Sequence, residues 1–192
     1  MKKPIVIKKY LKFYEETARN RIFGVLFNYP DKEFSLSELA MEAGVAKANI
    51  GKILDELYKN EIIEITKLSK IWRIKANQRN WIFTKSKIVY NLNFVYQSGL
   101  VEFLADYFKN PKSIILFGSF RNGADNSDSD IDIAVENEEE KEYKTIVLRE
   151  LVDFEKTINR RIQIHIFNKK NIDKGLFNSI ANGIVLFGFL EV

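Results

Sequence analysis

Between Ile114 and Val135 the chain reads Ile-Ile-Leu-Phe-Gly-Ser-Phe-Arg-Asn-Gly-Ala-Asp-Asn-Ser-Asp-Ser-Asp-Ile-Asp-Ile-Ala-Val. The apolar run Ile114–Phe117 has the composition of a strand and delivers the backbone to Gly118 and Ser119. A polar loop with Gly123 follows. The chain then re-enters a strand pattern, with Asp130 and Asp132 on one face and Ile131, Ile133 and Val135 on the other. On that spacing the two aspartates stand about 7 Å apart along one face. Two like charges at about 7 Å repel by about 2 kcal/mol at an effective dielectric near 20. A pair kept this close calls for a cation. Magnesium or manganese takes oxygen ligands, and substrate phosphates complete the shell. Gly118-Ser119 supplies the complementary half: glycine allows a phosphate to approach the backbone, and turn N–H groups form a nest for anions. The other common phosphate loop is excluded, because no Gly-Lys-Ser/Thr follows.

Gly118-Ser119, then Gly123, then Ser129-Asp130-Ile131-Asp132 resembles the signature of nucleotidyltransferases of the DNA polymerase β superfamily, in particular the small prokaryotic minimal nucleotidyltransferase domains. The likeness extends from about Ser98 to Val192. It implies an α/β (α+β) fold with a mixed sheet. It also implies a nucleoside triphosphate substrate on Gly118, Ser119, Gly123 and Ser129, with Arg121 within reach of a phosphate, and divalent metal on Asp130 and Asp132 as the catalytic pair. Active members of the family usually carry a third carboxylate on a later strand. Here the matching position is Gln163, which offers a carbonyl oxygen but no charge. His165, the only histidine of the chain, shares its face and is a second possible occupant of that role; the alternative is a strand residue with no catalytic part. Asp125 and Asp128 occupy positions the family pattern does not use and read as solvated loop residues.

The 192 residues suffice for one compact domain or two small ones. Charge divides them. Residues 1–97 hold 18 Lys and Arg against 10 Asp and Glu, or +8, and residues 98–192 hold 12 against 16, or −4. A basic module followed by an acidic one implies different partners, phosphate backbones being one for the first. There is no cysteine, so disulfides and thiolate metal sites are excluded, in keeping with a cytoplasmic protein. No apolar run is long enough to cross a bilayer or serve as a signal peptide, so no membrane partner is expected.

The basic half reads as a helix from Tyr10 to Phe27, then a helix opened by Ser35 and Glu38 as a capping box and stopped by Gly44. A further helix, Lys47–Lys59, turns Ile50, Ile53, Leu54 and Leu57 inward. Two strands, Ile62–Leu68 and Ile71–Lys75, flank a Ser69-Lys70 turn. Three helices and a hairpin resemble a winged helix-turn-helix domain, residues 1–78. That resemblance implies DNA as a partner, with Lys47, Asn49 and Lys52 on the recognition helix and Lys67 and Lys70 on the wing. The competing reading is a helical interaction module with a solvated lysine face. Gly51, inside the helix, reads either as a close-packing position or as a misplaced helix boundary.

Residues 79–97 read as an aromatic connecting helix that packs between the modules or forms a homodimer contact; a stacking surface for single-stranded nucleic acid is the alternative. In the 98–192 domain, Ser98 caps a helix over 99–108. The acidic run 136–142 feeds a helix over 140–159 with Val147, Leu148, Leu151, Phe154 and Ile158 inward. Arg161–Phe167 is a strand, 171–182 a helix, and 183–190 holds a short strand. Two functions stay open. One is transfer of a nucleoside monophosphate to a protein, RNA or small-molecule acceptor. The other is a DNA-binding regulator or antitoxin-like protein whose nucleotidyltransferase domain is weak or silent.

Overall fold

A computed structural model describes residues 17–68, 71–170 and 172–191. The start of the helix expected from Tyr10, the Ser69-Lys70 turn and Asn171 lie outside the described residues. The chain divides into two compact units, whose described parts are residues 17–90 and 91–191.

The first unit opens with α1 (Ala18–Asn28), capped by the Thr17 hydroxyl, which accepts from Asn20 N. Next comes α2 (Leu36–Glu42), with the expected reciprocal box: the Ser35 hydroxyl accepts from Glu38 N while the Glu38 carboxylate accepts from Ser35 N at 2.7 Å. Gly44 follows at φ +59°, the left-handed stop. After it, α3 (Lys47–Lys59) buries Ile50, Leu54 and Leu57. β1 (Ile63–Leu68) and β2 (Ile71–Ala76) pair antiparallel, and Ile74 of β2 also bridges to Phe34. One core, centred on Ile22, Leu26, Leu39, Ile50, Leu54 and Ile74, joins all three helices to the hairpin. The next helix, α4 (Trp81–Gln97), begins two residues later than the sequence places it, because Asn80 Oδ1 accepts from Ile82 N and Phe83 N and so caps it. Its aromatics divide: Phe83 lies in the first unit's core, Phe94 packs in the second's, and Trp81 is exposed.

The second unit contains α5 (Leu100–Tyr107), β3 (Ser113–Phe117), α6 (Gly118–Asn122) and β4 (Ile131–Glu136). β5 (Lys144–Ile146), a single 3-10 turn at 149–151, α7 (Val152–Ile158), β6 (Ile162–Phe167), α8 (Lys174–Ala181) and β7 (Ile184–Gly188) complete it. Among the described residues the five strands form one mixed sheet in the order β5-β6-β4-β3-β7. Only β4 and β6 pair in parallel. Period-two alternation gives each face its own core. Ile114, Leu116, Ile131, Ile133, Ile162 and Ile164 meet α4, α5 and α7 on one side. Ile115, Phe117, Ala134 and Phe167 meet α8 on the other. Asp132, Gln163 and His165 have the parity of the α8 face.

The structure corrects one long element. The helix expected over 140–159 is a loop, then β5, the 3-10 turn and finally α7. Accordingly the acidic run leads to a strand, not to a helix N-terminus. Glu136 itself is buried at the end of β4, accepting from the Ser113 hydroxyl at 3.0 Å. Thr145-Ile146-Val147 is a β-branched run, stiff at χ1 and suited to a strand, and β6 offers an open edge for it to pair with. Leu148, Leu151 and Phe154 are buried as expected, but Val147 points outward with 59% of its surface exposed.

Candidate nucleotide site

The site is built where β3 ends and β4 begins. β3 is buried along its whole length, so the chain leaves the core at Phe117 in a fixed position. Helix α6 starts at Gly118 itself and takes up the expected Gly-Ser turn and the first residues of the polar loop expected after it. Gly118 has φ +72°, and Oδ2 of Asp132 occupies the space that a Cβ at this residue would fill. Two independent constraints therefore require glycine: left-handed backbone and contact with the carboxylate. Ser119 follows in the first turn of α6, which has no side-chain cap. Gly123 ends that helix. Arg121 lies in its last turn, its Nε buried and without a hydrogen-bond partner among the described residues.

On the sheet, Asp132 pairs in register with Gln163, and Ala134 with His165. The Gln163 amide donates to Asp130 Oδ2. His165 Nε2 is 3.3 Å from Asp132 Oδ1. The two pairs that the sequence placed on faces of separate strands are thus together, Asp130 and Asp132 each in contact with one residue of β6. Ser129 is engaged inside its own loop: its hydroxyl accepts from Asn126 N at 3.0 Å and donates to Asn126 Oδ1 at 3.1 Å. A cleft of about 630 Å³ opens beside Asp130, between Ser127–Ser129 and the Lys156, Asn159 and Arg161 side.

Sequence reasoning missed the residues that hold this loop. Asp125, read as solvated, is completely buried. It accepts from Asn91 Nδ2 at 2.9 Å and pairs with Arg160 at 3.1 Å. Asn91 also donates to Phe120 O at 2.8 Å, tying α4 to α6. Arg160 donates from Nη1 to Asn126 O at 2.5 Å and Ser129 O at 3.1 Å, and its guanidinium lies over the Phe120 ring. A buried charge is tolerated when it is paired and hydrogen-bonded, and each partner here comes from a different segment. Asp128, by contrast, is exposed as expected. Tyr143, also missed, places its hydroxyl 2.6 Å from His165 Nδ1.

The donor chemistry of Asp130 and Asp132, two carboxylates, is of the kind a hard divalent ion takes. They offer carboxylate oxygens beside a turn suited to phosphate, and a magnesium ion keeps open positions for phosphate and water. Gln163 adds a neutral amide beside Asp130. Among the described residues no group of three or more His, Asp and Glu side chains is arranged around a metal position.

In the first unit, Lys47, Asn49 and Lys52 are exposed on α3. At 100° per residue Lys52 points away from the core, with Lys47 and Asn49 on opposite flanks. Lys67 is exposed on β1, its ammonium 4.3 Å from the centre of the Trp72 ring. Lys70 lies outside the described residues. Gly51 is mid-helix, and a Cβ there would meet nothing within 4 Å, so neither tight internal packing nor a misplaced boundary accounts for it.

The family model for Polymerase beta, Nucleotidyltransferase matches residues 99–189. A nucleotidyltransferase-like domain therefore occupies the second unit, and its mixed sheet fits that fold. No curated protein matches the chain. Among solved structures, a cysteine-to-serine mutant of ZitR from Lactococcus lactis is similar at 12% identity and a TM-score of 0.36, covering 46% of this chain and 61% of that one. The heme sensor protein PefR of Streptococcus agalactiae, in complex with heme, is similar at 13% identity and a TM-score of 0.34, covering 53% and 76%. The chain thus spans about 61% of the length of the ZitR chain it matches. At these scores neither likeness defines a fold or a ligand for this protein. Among the described residues no helix is long and apolar enough to cross a membrane.

Proposed function

We propose that the second unit transfers a nucleoside monophosphate from a nucleoside triphosphate to an acceptor hydroxyl on a protein, an RNA end or a small molecule. The observation that carries this reading is the contact between Asp132 and Gly118, which joins the carboxylate face of the sheet to the Gly-Ser turn in one site. Gly118 and Ser119 receive the phosphates. Asp130 and Asp132 hold a divalent ion, magnesium or manganese, which when bound neutralises phosphate charge and favours ionisation of the acceptor hydroxyl. Arg121 and Gly123 complete the phosphate side, and the loop held by Asp125 and Arg160 fixes Ser129 and Asp130 against the start of β4.

In the same reading residues 1–78 are a winged helix-turn-helix that binds DNA, 79–97 a connecting helix and 98–192 the transferase domain of a cytoplasmic protein. Support for the first module comes from three helices and a hairpin around one core, with Lys47, Asn49 and Lys52 exposed on α3. DNA affinity that falls steeply with salt, and falls again in Lys47→Ala and Lys52→Ala, is the expected result; binding indifferent to salt would remove this module's role.

Gln163 favours a second reading. It stands in register with Asp132 and donates to Asp130, so a neutral donor replaces a charged ligand. In that case the domain binds nucleotide without efficient transfer, and the protein is a DNA-binding or antitoxin-like regulator. Incubation with α-phosphate-labelled nucleotides and magnesium or manganese, against host protein and RNA, separates the two. Label transferred by wild type and not by the Asp130→Asn, Asp132→Asn double variant supports the enzyme. No label from either, with all four nucleotides tried, supports the regulator.

A further inference from the structure

We infer that Tyr143 and His165 are positioning residues for Asp132, through a one-way chain of hydrogen bonds that runs from Thr145 to Tyr143 to His165 to Asp132. The inference rests on the proposed function only for the role of Asp132; the chain itself stands on geometry. β5 pairs with β6 so that Thr145 lies opposite His165. Tyr143, just before β5, then brings its hydroxyl 2.6 Å from His165 Nδ1 and 2.9 Å from Thr145 Oγ1. On its other side the ring presents Nε2 to Asp132 Oδ1 at 3.3 Å.

With the His165 imidazole neutral, the direction of the chain follows from the valence of each group. A carboxylate oxygen only accepts, so Nε2 must carry the proton. In a neutral imidazole the other nitrogen is then an acceptor. Tyr143 therefore donates its hydroxyl proton to Nδ1, which leaves its oxygen to accept from the Thr145 hydroxyl. Thr145 Oγ1 is itself 3.5 Å from Nδ1, the longer of the two approaches to that nitrogen. The reverse order would set a lone pair of Nε2 against Asp132 Oδ1. The ring has little room to turn: it is 9% exposed and meets the Phe117 ring edge-on at 4.9 Å between centroids.

The consequence falls on the carboxylate. With Oδ1 held by His165, Asp132 is oriented so that Oδ2 lies against Gly118, on the side where phosphate and cation are proposed to meet. Partners that orient a metal ligand from behind typically change affinity or activity by about 10–100-fold when removed. The order Thr145–Tyr143–His165–Asp132 thus makes an edge strand part of the site's support.

His165 is the only histidine, so its ring nitrogens are read without assignment. Long-range proton–nitrogen-15 correlation spectra of the full chain, above neutral pH, are expected to show Nε2 protonated and Nδ1 bare. Tyr143→Phe should shift the Nδ1 resonance and mix the tautomers while thermal unfolding stays cooperative. ATP binding in the presence of Mg2+ should weaken about 10-fold in Tyr143→Phe and in His165→Ala. It should recover in His165→Gln, whose amide N–H can take the place of Nε2–H. An Nδ1–H ring in wild type, a spectrum unmoved by Tyr143→Phe, or no recovery in His165→Gln would overturn the inference. The predicted tautomer in a protein that binds no ATP would remove the proposed activity and leave the chain of bonds standing.

Discussion

The loop at 124–129 and the outer face of α3 are both short, polar and glycine-flanked in sequence, yet the fold treats them in opposite ways. The loop is fixed from inside. Asp125 is buried against Asn91 and Arg160, and Arg160 grips two loop carbonyls. The α3 face is left open. Lys47, Asn49 and Lys52 are exposed, and Gly51 between them answers to no neighbour. The contrast shows what each surface is shaped by. The loop's geometry is an internal property of the second unit and serves the aspartate pair it leads into. The α3 face is left exposed by the first unit's core.

The strongest way to break this comparison is to empty the loop's anchor. Asp125→Ala leaves Arg160 buried without its carboxylate, and removing one partner of a buried pair costs about 3–5 kcal/mol. Urea unfolding is expected to show that loss, and a change below about 1 kcal/mol would mean the loop is not held from inside. The α2 cap gives an internal standard in the first unit. Ser35→Ala should destabilise by about 1 kcal/mol. Glu38 is held below the ordinary glutamate value of 4.5, first by the Ser35 backbone N–H and then by its hydroxyl. A depressed carboxylate stabilises the fold above 4.5, and that contribution disappears as pH falls through the lower, folded value. The Glu38→Gln penalty in urea should therefore be present at neutral pH and vanish in acid. The smallest effect has the opposite sign. Gly51→Ala removes a helix-interior glycine into open space and should stabilise by up to about 1 kcal/mol, while DNA affinity drops if α3 docks closely there. A gain in stability with unchanged DNA binding would reduce the α3 face to a solvated surface.

Much of this architecture was legible in the residues, and the exceptions have physical causes. The α2 box, α3 and β6 announce themselves because capping chemistry and periodicity agree over the whole element. Asp130 with Asp132, and Gln163 with His165, were legible as two pairs because strand parity alone puts the members of each pair on one face of its own strand. The 140–159 segment misled because Leu148, Leu151 and Phe154 keep helical spacing across a 3-10 turn and a short helix, while Thr145-Ile146-Val147 answers to the edge of β6. Asp125 was hidden for another reason. An aspartate among Gly, Asn and Ser looks solvated until its partners are known, and Asn91 and Arg160 lie far from it in sequence. Tyr143 was hidden with β5, since only strand pairing brings it to His165.

The central claim is that Gly118 and the Asp130–Asp132 pair form one nucleotide–cation site. Calorimetric titration of ATP into wild type, Asp132→Asn and Gly118→Ala, with and without magnesium, tests it most directly. The account predicts magnesium-dependent binding by wild type, loss of the magnesium dependence in Asp132→Asn, and loss of binding in folded Gly118→Ala, whose methyl group would displace the Asp132 carboxylate. Equal affinities in all three proteins, or binding indifferent to magnesium throughout, would contradict it.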